Sequence, residues 1–243
     1  MNSELSTYQR LQNELRALIT NLPKGTKLPA EPQLAEQLAV SRATLREVLR
    51  IFESQGLLRR KQGLGTFVIG PTRVIESGLE ALESIETLAD RIGLDVTMGD
   101  SKIIYTQADE KLTRKLNLAP GETIVDIRRV ILTDDIPVAY LIDILPKHVI
   151  NQETLKNQFS GSVLDLIIKV GQPRLSISKT EISAVHAQPV VAKALDIQRG
   201  DTLLQLEALL FDDERNPIDF SYSYFIPGYF RLHIIRKIGG INR

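Results

Sequence analysis

Residues 41–68 read SRATLREVLRIFESQGLLRRKQGLGTFV, and few folds accommodate such a run. Ser41 is a strong helix N-cap. Leu45, Val48, Leu49 and Phe52 then recur at helical spacing and mark a buried face. Arg42, Arg46 and Arg50 fall four apart on another face. Gly56 ends the helix. Residues 57–61 and 66–69 read as two strands joined through Gly63-Leu64-Gly65, and Arg59, Arg60 and Lys61 make this hairpin positive. A slim basic helix fits the major groove of duplex DNA, and a basic hairpin lies along its backbone. The plainer alternative is a solvated charged helix followed by an ordinary hairpin. It leaves the coincidence of all these parts unexplained.

The preceding segment extends the pattern. Tyr8, Leu11, Leu15, Leu18, Ile19 and Leu22 form one apolar stripe, so residues 6–21 are expected to be a helix. Pro23-Lys24-Gly25-Thr26 breaks it. Residues 29–40 hold a second short helix with Pro32 near its first turn and Leu34, Ala35 and Leu38 facing inward. Three helices and a two-stranded wing make a winged helix-turn-helix. The stretch resembles the N-terminal domain of the GntR family of bacterial transcription regulators. The matching motifs are Lys27-Leu28-Pro29-Ala30-Glu31, Leu34-Ala35, Ser41-Arg42-Ala43-Thr44-Leu45-Arg46, Gln55-Gly56-Leu57-Leu58 and Gly63-Leu64-Gly65-Thr66-Phe67-Val68. Where the family usually has Leu-Pro-Ser-Glu-Arg, this chain has Ala30 and Pro32 in place of the Ser and Arg.

The resemblance implies a DNA-binding set. Arg46 is expected at a base edge, where a guanidinium fork matches guanine. Arg42, Thr44, Arg59 and Lys61 are expected on phosphates, with Gly65 letting the wing tip approach the groove. Glu31, Ser41, Arg50 and Arg60 complete the set.

The formal charge of the whole chain is zero, and its division is informative. Residues 1–70 hold ten Lys/Arg against six acids, net +4; residues 71–243 hold twenty against twenty-four, net −4. A basic DNA module joined to an acidic partner domain follows. The length suffices for two cores. The absence of cysteine excludes a disulfide framework or a thiolate site. No signal-peptide pattern and no bilayer-length apolar run is present, so a cytoplasmic protein without membrane association is expected.

We divide the chain into a DNA-binding domain at 1–70, a linker and connecting helix at 71–93, and an effector domain at 94–243. Pro71 stops the wing strand, Gly78 suggests a hinge, and Leu79, Leu82, Ile85 and Leu88 keep a helical period up to Arg91. The second domain contains an internal repeat. Residues 108–121, ADEKLTRKLNLAPG, and 187–200, AQPVVAKALDIQRG, lie 79 positions apart. Each is a short helix with a Gly turn, preceded by a strand and followed by a strand, an acidic turn and a strand opened by Pro137 or Pro217. Two helices, 152–158 and 162–169, separate the copies. The expected fold is α+β, a mostly antiparallel sheet covered by helices on one side.

This half resembles the ligand-binding (UTRA) domain of the HutC branch of the GntR family, which shares its fold with chorismate lyase. The carrying residues are Leu118-Ala119-Pro120-Gly121-Glu122, Ile127-Arg128-Arg129-Val130, Asp135-Ile136-Pro137-Val138-Ala139, Ser162-Val163-Leu164-Asp165 and Gly200-Asp201-Thr202. The resemblance implies a repressor that responds to a small-molecule effector. A two-fold homodimer on a pseudopalindromic double-stranded operator is also expected, because one small module has too few contacts for specific affinity.

Alternation places Arg129 among Val125, Ile127 and Ile131, and Asp143 among Ala139, Leu141 and Leu145. A charge on an apolar face requires a partner. The two residues form either a structural ion pair or part of a ligand site, and the family commonly uses an Arg at the position of Arg129 for an anionic group. Phe220, Tyr222 and Tyr224 form an aromatic stripe, either core or pocket, with Tyr140 on the strand of Asp143. Ser160 and Ser162 precede a helix, as caps or as an anion site. The candidate effector set is therefore Arg129, Tyr140, Asp143, Ser160, Ser162, Tyr222 and Tyr224. Sugar-phosphate binders of this branch commonly carry a second Arg and a Glu where this chain has Ile131 and Leu141, so a larger, less charged effector is expected.

Enzyme chemistry finds little support. His148, His186 and His233 lack metal-ligand spacing, and neither a nucleophile elbow nor a phosphate loop is present. No catalytic residue, metal ligand or cofactor is expected. A lyase-like enzyme fused to a DNA module and a ligand-independent DNA-binding protein are the competing readings.

Overall fold

A computed structural model describes residues 7–61, 63–69 and 74–236. The strand stop at Pro71 and the helix start at residue 6 lie outside them.

The N-terminal unit comprises α1 (Thr7–Thr20), α2 (Glu31–Gln37), α3 (Arg42–Ser54) and the wing strands β1 (Leu58–Lys61) and β2 (Gly65–Val68). Each helix contributes its apolar stripe to one core: Leu11, Leu15 and Ile19 from α1, Leu34 and Ala35 from α2, and Leu45, Val48, Leu49 and Phe52 from α3. Leu58 and Val68 close it from the wing. Gly56 sits at φ +69°, where the chain turns from α3 into β1. The wing pairs antiparallel, from Leu58 opposite Val68 to Lys61 opposite Gly65.

The connecting segment differs from the expected hinge. Residues around Gly78 form β3 (Ile75–Gly78), which pairs parallel with β10 (Phe230–His233). Leu79 donates its N–H to the His233 carbonyl at 2.9 Å, so the helix does not start there. It starts at Ser84, whose hydroxyl caps α4 (Ile85–Arg91).

The C-terminal unit is built on a six-stranded antiparallel sheet in the order β4-β5-β6-β9-β8-β7. Its strands are β4 (Val96–Gln107), β5 (Thr123–Thr133), β6 (Ile136–Pro146), β7 (Leu175–His186), β8 (Thr202–Asp212) and β9 (Pro217–Phe225). Each repeat supplies three consecutive strands, and the third strands, β6 and β9, meet in the middle. The repeat helices α5 (Glu110–Lys115) and α8 (Pro189–Leu195) cross over, α5 packing on β9 and α8 on β6. The two halves are thus interlocked around a pseudo-two-fold axis.

Helices cover both faces of the sheet, which corrects the expected one-sided arrangement. Ile124, Ile144 and Phe220 pack under α5 through Leu112 and Leu116. Val125, Ile127 and Leu145 pack against α6 (Gln152–Gln158) and α7 (Val163–Val170) through Leu155, Val163, Leu166 and Ile167. Residues 124 and 125 are neighbours on one strand and point to opposite faces. The long apolar runs of β5 and β6 are the sequence counterpart of burial on both sides.

Candidate functional site

The reading surface is built by α3. Ser41 caps it, its hydroxyl accepting from the Thr44 N–H at 3.1 Å and lying 2.8 Å from the Thr44 hydroxyl. Arg42 and Arg46 are exposed on the first half of the helix. Glu31, at the start of α2, joins helix to wing: its carboxylate accepts from Arg46 Nε at 2.6 Å and from Arg60 at 2.9 Å. It thus holds two cations of the reading surface. Lys61 stands exposed at the wing, 5.8 Å from the centre of the Phe67 ring. Gly65 adopts φ +114°, and an added Cβ would fall 2.7 Å from the Lys27 side chain. Lys27, not anticipated from the sequence, therefore stands beside the wing tip; its signal is its place in the loop that pairs with β2.

Two expected DNA contacts are directed elsewhere in this conformation. Alternation puts Arg59 on the same wing face as Lys61, but the base of that face is covered by the C-terminal unit. Arg59 is 9% exposed. It donates to Asp196, just past α8, at 3.0 Å and to the Leu195 carbonyl at 3.3 Å. Arg50, one turn beyond Arg46, lines a cavity of about 520 Å³ between α3, the wing and the 196–203 segment. Glu53 faces the same space. Burial, reinforced by the nearby charge of Asp201, pushes its carboxyl up to about 7. Two further contacts complete the interface. Lys24 pairs with Asp134 at 2.6 Å. Gly228, in the 3-10 turn Pro227–Tyr229, lies so near the backbone of Gln55 and Gly56 that a Cβ would fall 2.2 Å from it.

The second candidate site is a cavity of about 150 Å³ over the sheet face covered by α7. Arg129, Leu141 and Asp143 line it, together with Ser162, Asp219 and Ser221. The Arg129 guanidinium donates to Asp143 at 2.7 Å, and both side chains are buried. The ion pair and the cavity wall are therefore one feature. Asp219 on β9 is buried beside them and accepts from the Ile144 N–H at 3.1 Å. Burial raises Asp143, against the pull of Arg129. Burial and then the Asp143 charge push Asp219 well above the usual carboxylate range. Glu86 on α4 is raised by burial, again against Arg129. Arg129 Nε and both Glu86 carboxylate oxygens are buried without a hydrogen-bond partner.

The remaining expected effector residues separate. Ser162 lines the cavity and also caps α7, accepting from the Asp165 N–H at 3.0 Å. Ser160 is exposed and does not line it. Tyr140, Tyr222 and Tyr224 stand on the opposite face of the sheet, because they alternate with Leu141, Ser221 and Ser223, which line the cavity. There the rings of Tyr140 and Tyr224 stack at 6.4 Å, and Lys111 donates to the Tyr222 hydroxyl at 2.6 Å. The larger ligand expected from nearby tyrosines thus loses its aromatic wall. Asp219 was not anticipated, although it sits between Ile218 and Phe220 as a carboxylate in an apolar run.

One wall of the cavity is the connecting segment itself, through Leu82, Glu83, Ser84 and Ile85. Ser84 donates to Asp165 at 2.7 Å, fastening this segment to the first turn of α7. A molecule in the cavity would touch both the sheet and the chain leading to the wing.

Residues 7–68 match the family described as bacterial regulatory proteins, gntR family, and residues 94–231 match the UTRA domain. The chain is 31% identical over 209 residues to the HTH-type transcriptional repressor NagR of Bacillus subtilis, covering 84% of each chain. It is 28% identical over 190 residues to a histidine utilization repressor of Pseudomonas aeruginosa, covering 75% of this chain and 71% of that one. The crystal structure of PhnF from Mycobacterium smegmatis superposes with a TM-score of 0.62 at 21% identity, over 94% of this chain and all of that one. Among the described residues no helix is long and apolar enough to cross a membrane. With a winged helix followed by an interlocked six-stranded sheet, the chain belongs to the GntR family of DNA-binding transcriptional regulators and carries a UTRA domain as its C-terminal part.

Proposed function

We propose that the protein is a cytoplasmic repressor, not an enzyme, whose grip on an operator changes when a small metabolite enters the cavity under α7. The observation that carries this reading is the shared wall. Residues 82–85 line the cavity and continue, through β3, toward the wing. A ligand with different contacts in two positions of that segment shifts the equilibrium between them. The names of relatives as repressors support the direction of regulation.

DNA binding is by a homodimer on a pseudopalindrome, with Arg46 at a base edge and Arg42, Lys61 and Lys27 on phosphates. Dimerisation lies in the C-terminal unit, whose edge strands expose Ile103 and Tyr105 on β4 and Ile182 on β7. The test is selection of a bound sequence from random duplexes, followed by anisotropy titration and sedimentation of the full chain. A symmetric site bound by a dimer supports the reading. Equal affinity for selected and random DNA, or a monomer at micromolar concentration, overturns it.

A further inference from the structure

We infer that the cavity under α7 recognises an uncharged six-membered ring with apolar faces and hydroxyl groups around its rim, an unphosphorylated pyranose or a cyclitol by chemical class. The inference rests on the reading of this cavity as the effector site and names the chemistry of its occupant.

The floor of the cavity is the first argument. Strand pairing sets Asp143, Ser221, Ala208 and Thr180 in one row across β6, β9, β8 and β7. The row on one side holds Leu141, Ser223 and Leu206, and the row on the other holds Asp219, Leu210 and Ser178. All of them line the cavity. Along the strands, β8 therefore presents an apolar column of Leu206, Ala208 and Leu210. Polar columns flank it, Asp219, Ser221 and Ser223 on β9 and Ser178 and Thr180 on β7. Ala208 is the smallest side chain of the apolar column, so the floor dips at its centre. Val163, Leu164 and Ile167 of α7 supply an apolar roof. An occupant thus meets hydrocarbon above and below and hydroxyls on two opposite sides. A saturated ring with C–H faces and a hydroxylated rim has this distribution. Each Ser or Thr hydroxyl can donate and accept, as can each hydroxyl of the ring.

Size is the second argument. Neighbouring strands lie about 4.8 Å apart, so the two polar columns stand about 10 Å apart. A hydrogen bond of about 2.8 Å at each end leaves roughly 4 Å between them, the scale of one ring and not of two linked rings. The cavity is about 150 Å³, and a cavity of roughly that volume holds a benzene-sized molecule.

Charge is the third argument. Among the described residues, the charged groups lining the cavity are Glu83, Arg129, Asp143 and Asp219. Arg129 donates to Asp143 at 2.7 Å, and Glu83 pairs with Arg91. Asp219 accepts from the Ile144 N–H at 3.1 Å, and burial beside Asp143 favours its neutral form. An anionic ligand would have to take Arg129 from Asp143, and a cationic one would have to compete with Arg129 or ionise Asp219. Either exchange leaves a buried charge without its partner or creates a new one, which is costly. A neutral ligand disturbs neither group.

Isothermal titration of the full chain with myo-inositol, glucose, protonated glucosamine, glucuronate and glucose 6-phosphate tests this. The last four share one ring and differ in charge. Cyclohexanol and adenine control for a ring without a polar rim and for a planar heterocycle. The expected result is binding of myo-inositol or glucose, about tenfold or more tighter than any charged member or either control. Ala208→Leu should fill the dip in the floor and weaken binding about tenfold or more. Thr180→Val and Ser223→Ala each remove one rim hydroxyl and should each weaken it about fivefold. Thr180 is exposed on an edge strand, so its variant should melt near the parent and keeps the test valid if Ala208→Leu does not fold. Binding of a charged member or a control as tight as that of the neutral rings, no binding of any probe, or neutral-ring binding unchanged in the folded variants would overturn the inference. Operator affinity measured on the same samples separates the two readings. Loss of operator binding in the parent counts against the regulator, whereas failure of the neutral rings with operator binding intact counts against the ligand class alone.

Discussion

The guanidinium of Arg59, at the base of the wing, donates to the Asp196 carboxylate at 3.0 Å and to the Leu195 carbonyl at 3.3 Å. Asp196 follows α8, which packs on β6, the strand that carries Asp143. Wing and effector sheet are thereby joined through one helix as well as through the connecting segment. The contact uses an arginine that a winged-helix reading assigns to phosphate.

Arg59→Ala should therefore loosen the domains and leave the salt dependence of DNA binding nearly unchanged, since a lost phosphate contact lowers that slope by about one. Lys61→Ala should lower it. Gly228→Ala should loosen the domains by a different route, because its Cβ would overlap the backbone at Gln55 and Gly56. Small-angle scattering and proteolysis of the 70–84 segment read the loosening. A steep fall of the salt slope in Arg59→Ala, with the scattering profile unchanged, would return Arg59 to the DNA.

Arg46→Ala should relax specificity at one base position at a cost of about 1–3 kcal/mol. Its partner Glu31 gives a complementary test. Glu31 holds both Arg46 and Arg60, so Glu31→Gln should free two cations and raise affinity for random duplexes more than for the operator. Competition anisotropy with operator and random DNA measures both. Equal losses on the two DNAs in Arg46→Ala would show a phosphate contact instead.

The DNA-binding unit was legible from the sequence because its determinants are local. Leu45, Val48, Leu49 and Phe52 sit one helical turn apart, and Ser41 caps the helix they belong to. Half of the cavity was legible for the same reason, since strand alternation alone puts Arg129 and Asp143 on one face. Asp219 and Ser221 join them only through the pairing of β6 with β9, a contact between residues more than seventy positions apart. Leu82 to Ile85 arrive from the connecting segment, which no strand pattern places there. The tyrosines misled because alternation tells which residues share a face without telling which face holds the cavity. The contact of Arg59 with Asp196 could not be read from the sequence, because its partner lies in the other domain.

Domain docking should depend on pH through Glu53. Burial in the interface raises its carboxyl to about 7, with the charge of Asp201 adding to the effect. The docked form thus holds a proton that the separated form, with a carboxyl in the ordinary range, releases. A raised carboxyl stabilises docking at low pH, and that contribution is lost as pH rises from the ordinary range through about 7. Protease sensitivity of the connecting segment should increase from about pH 5.5 to about pH 8. Glu53→Gln should flatten the change, leaving the part due to Asp201, which burial also raises. A profile identical in the parent and Glu53→Gln would remove Glu53 from the coupling.

Arg129→Ala should destabilise the effector domain by about 3–5 kcal/mol, the usual consequence of breaking one side of a buried ion pair. The loss comes from what remains: Asp143, bonded to Arg129 at 2.7 Å, is left beside Asp219 with no cation. The pH dependence gives the argument its sign. Both carboxyls are already raised, and removing Arg129 raises them further. The folded variant then binds more protons than its unfolded chain over a wider range, and its stability falls more steeply with rising pH than that of the parent. Urea unfolding at several pH values should show the deficit shrinking toward acid, where both carboxyls are protonated in either state. Replacing the pair together, as Arg129→Leu with Asp143→Leu, should recover part of the stability, because neither charge remains to be desolvated. A deficit that is constant with pH, or a double variant no better than Arg129→Ala, would show that Arg129 contributes through packing and not through its charge.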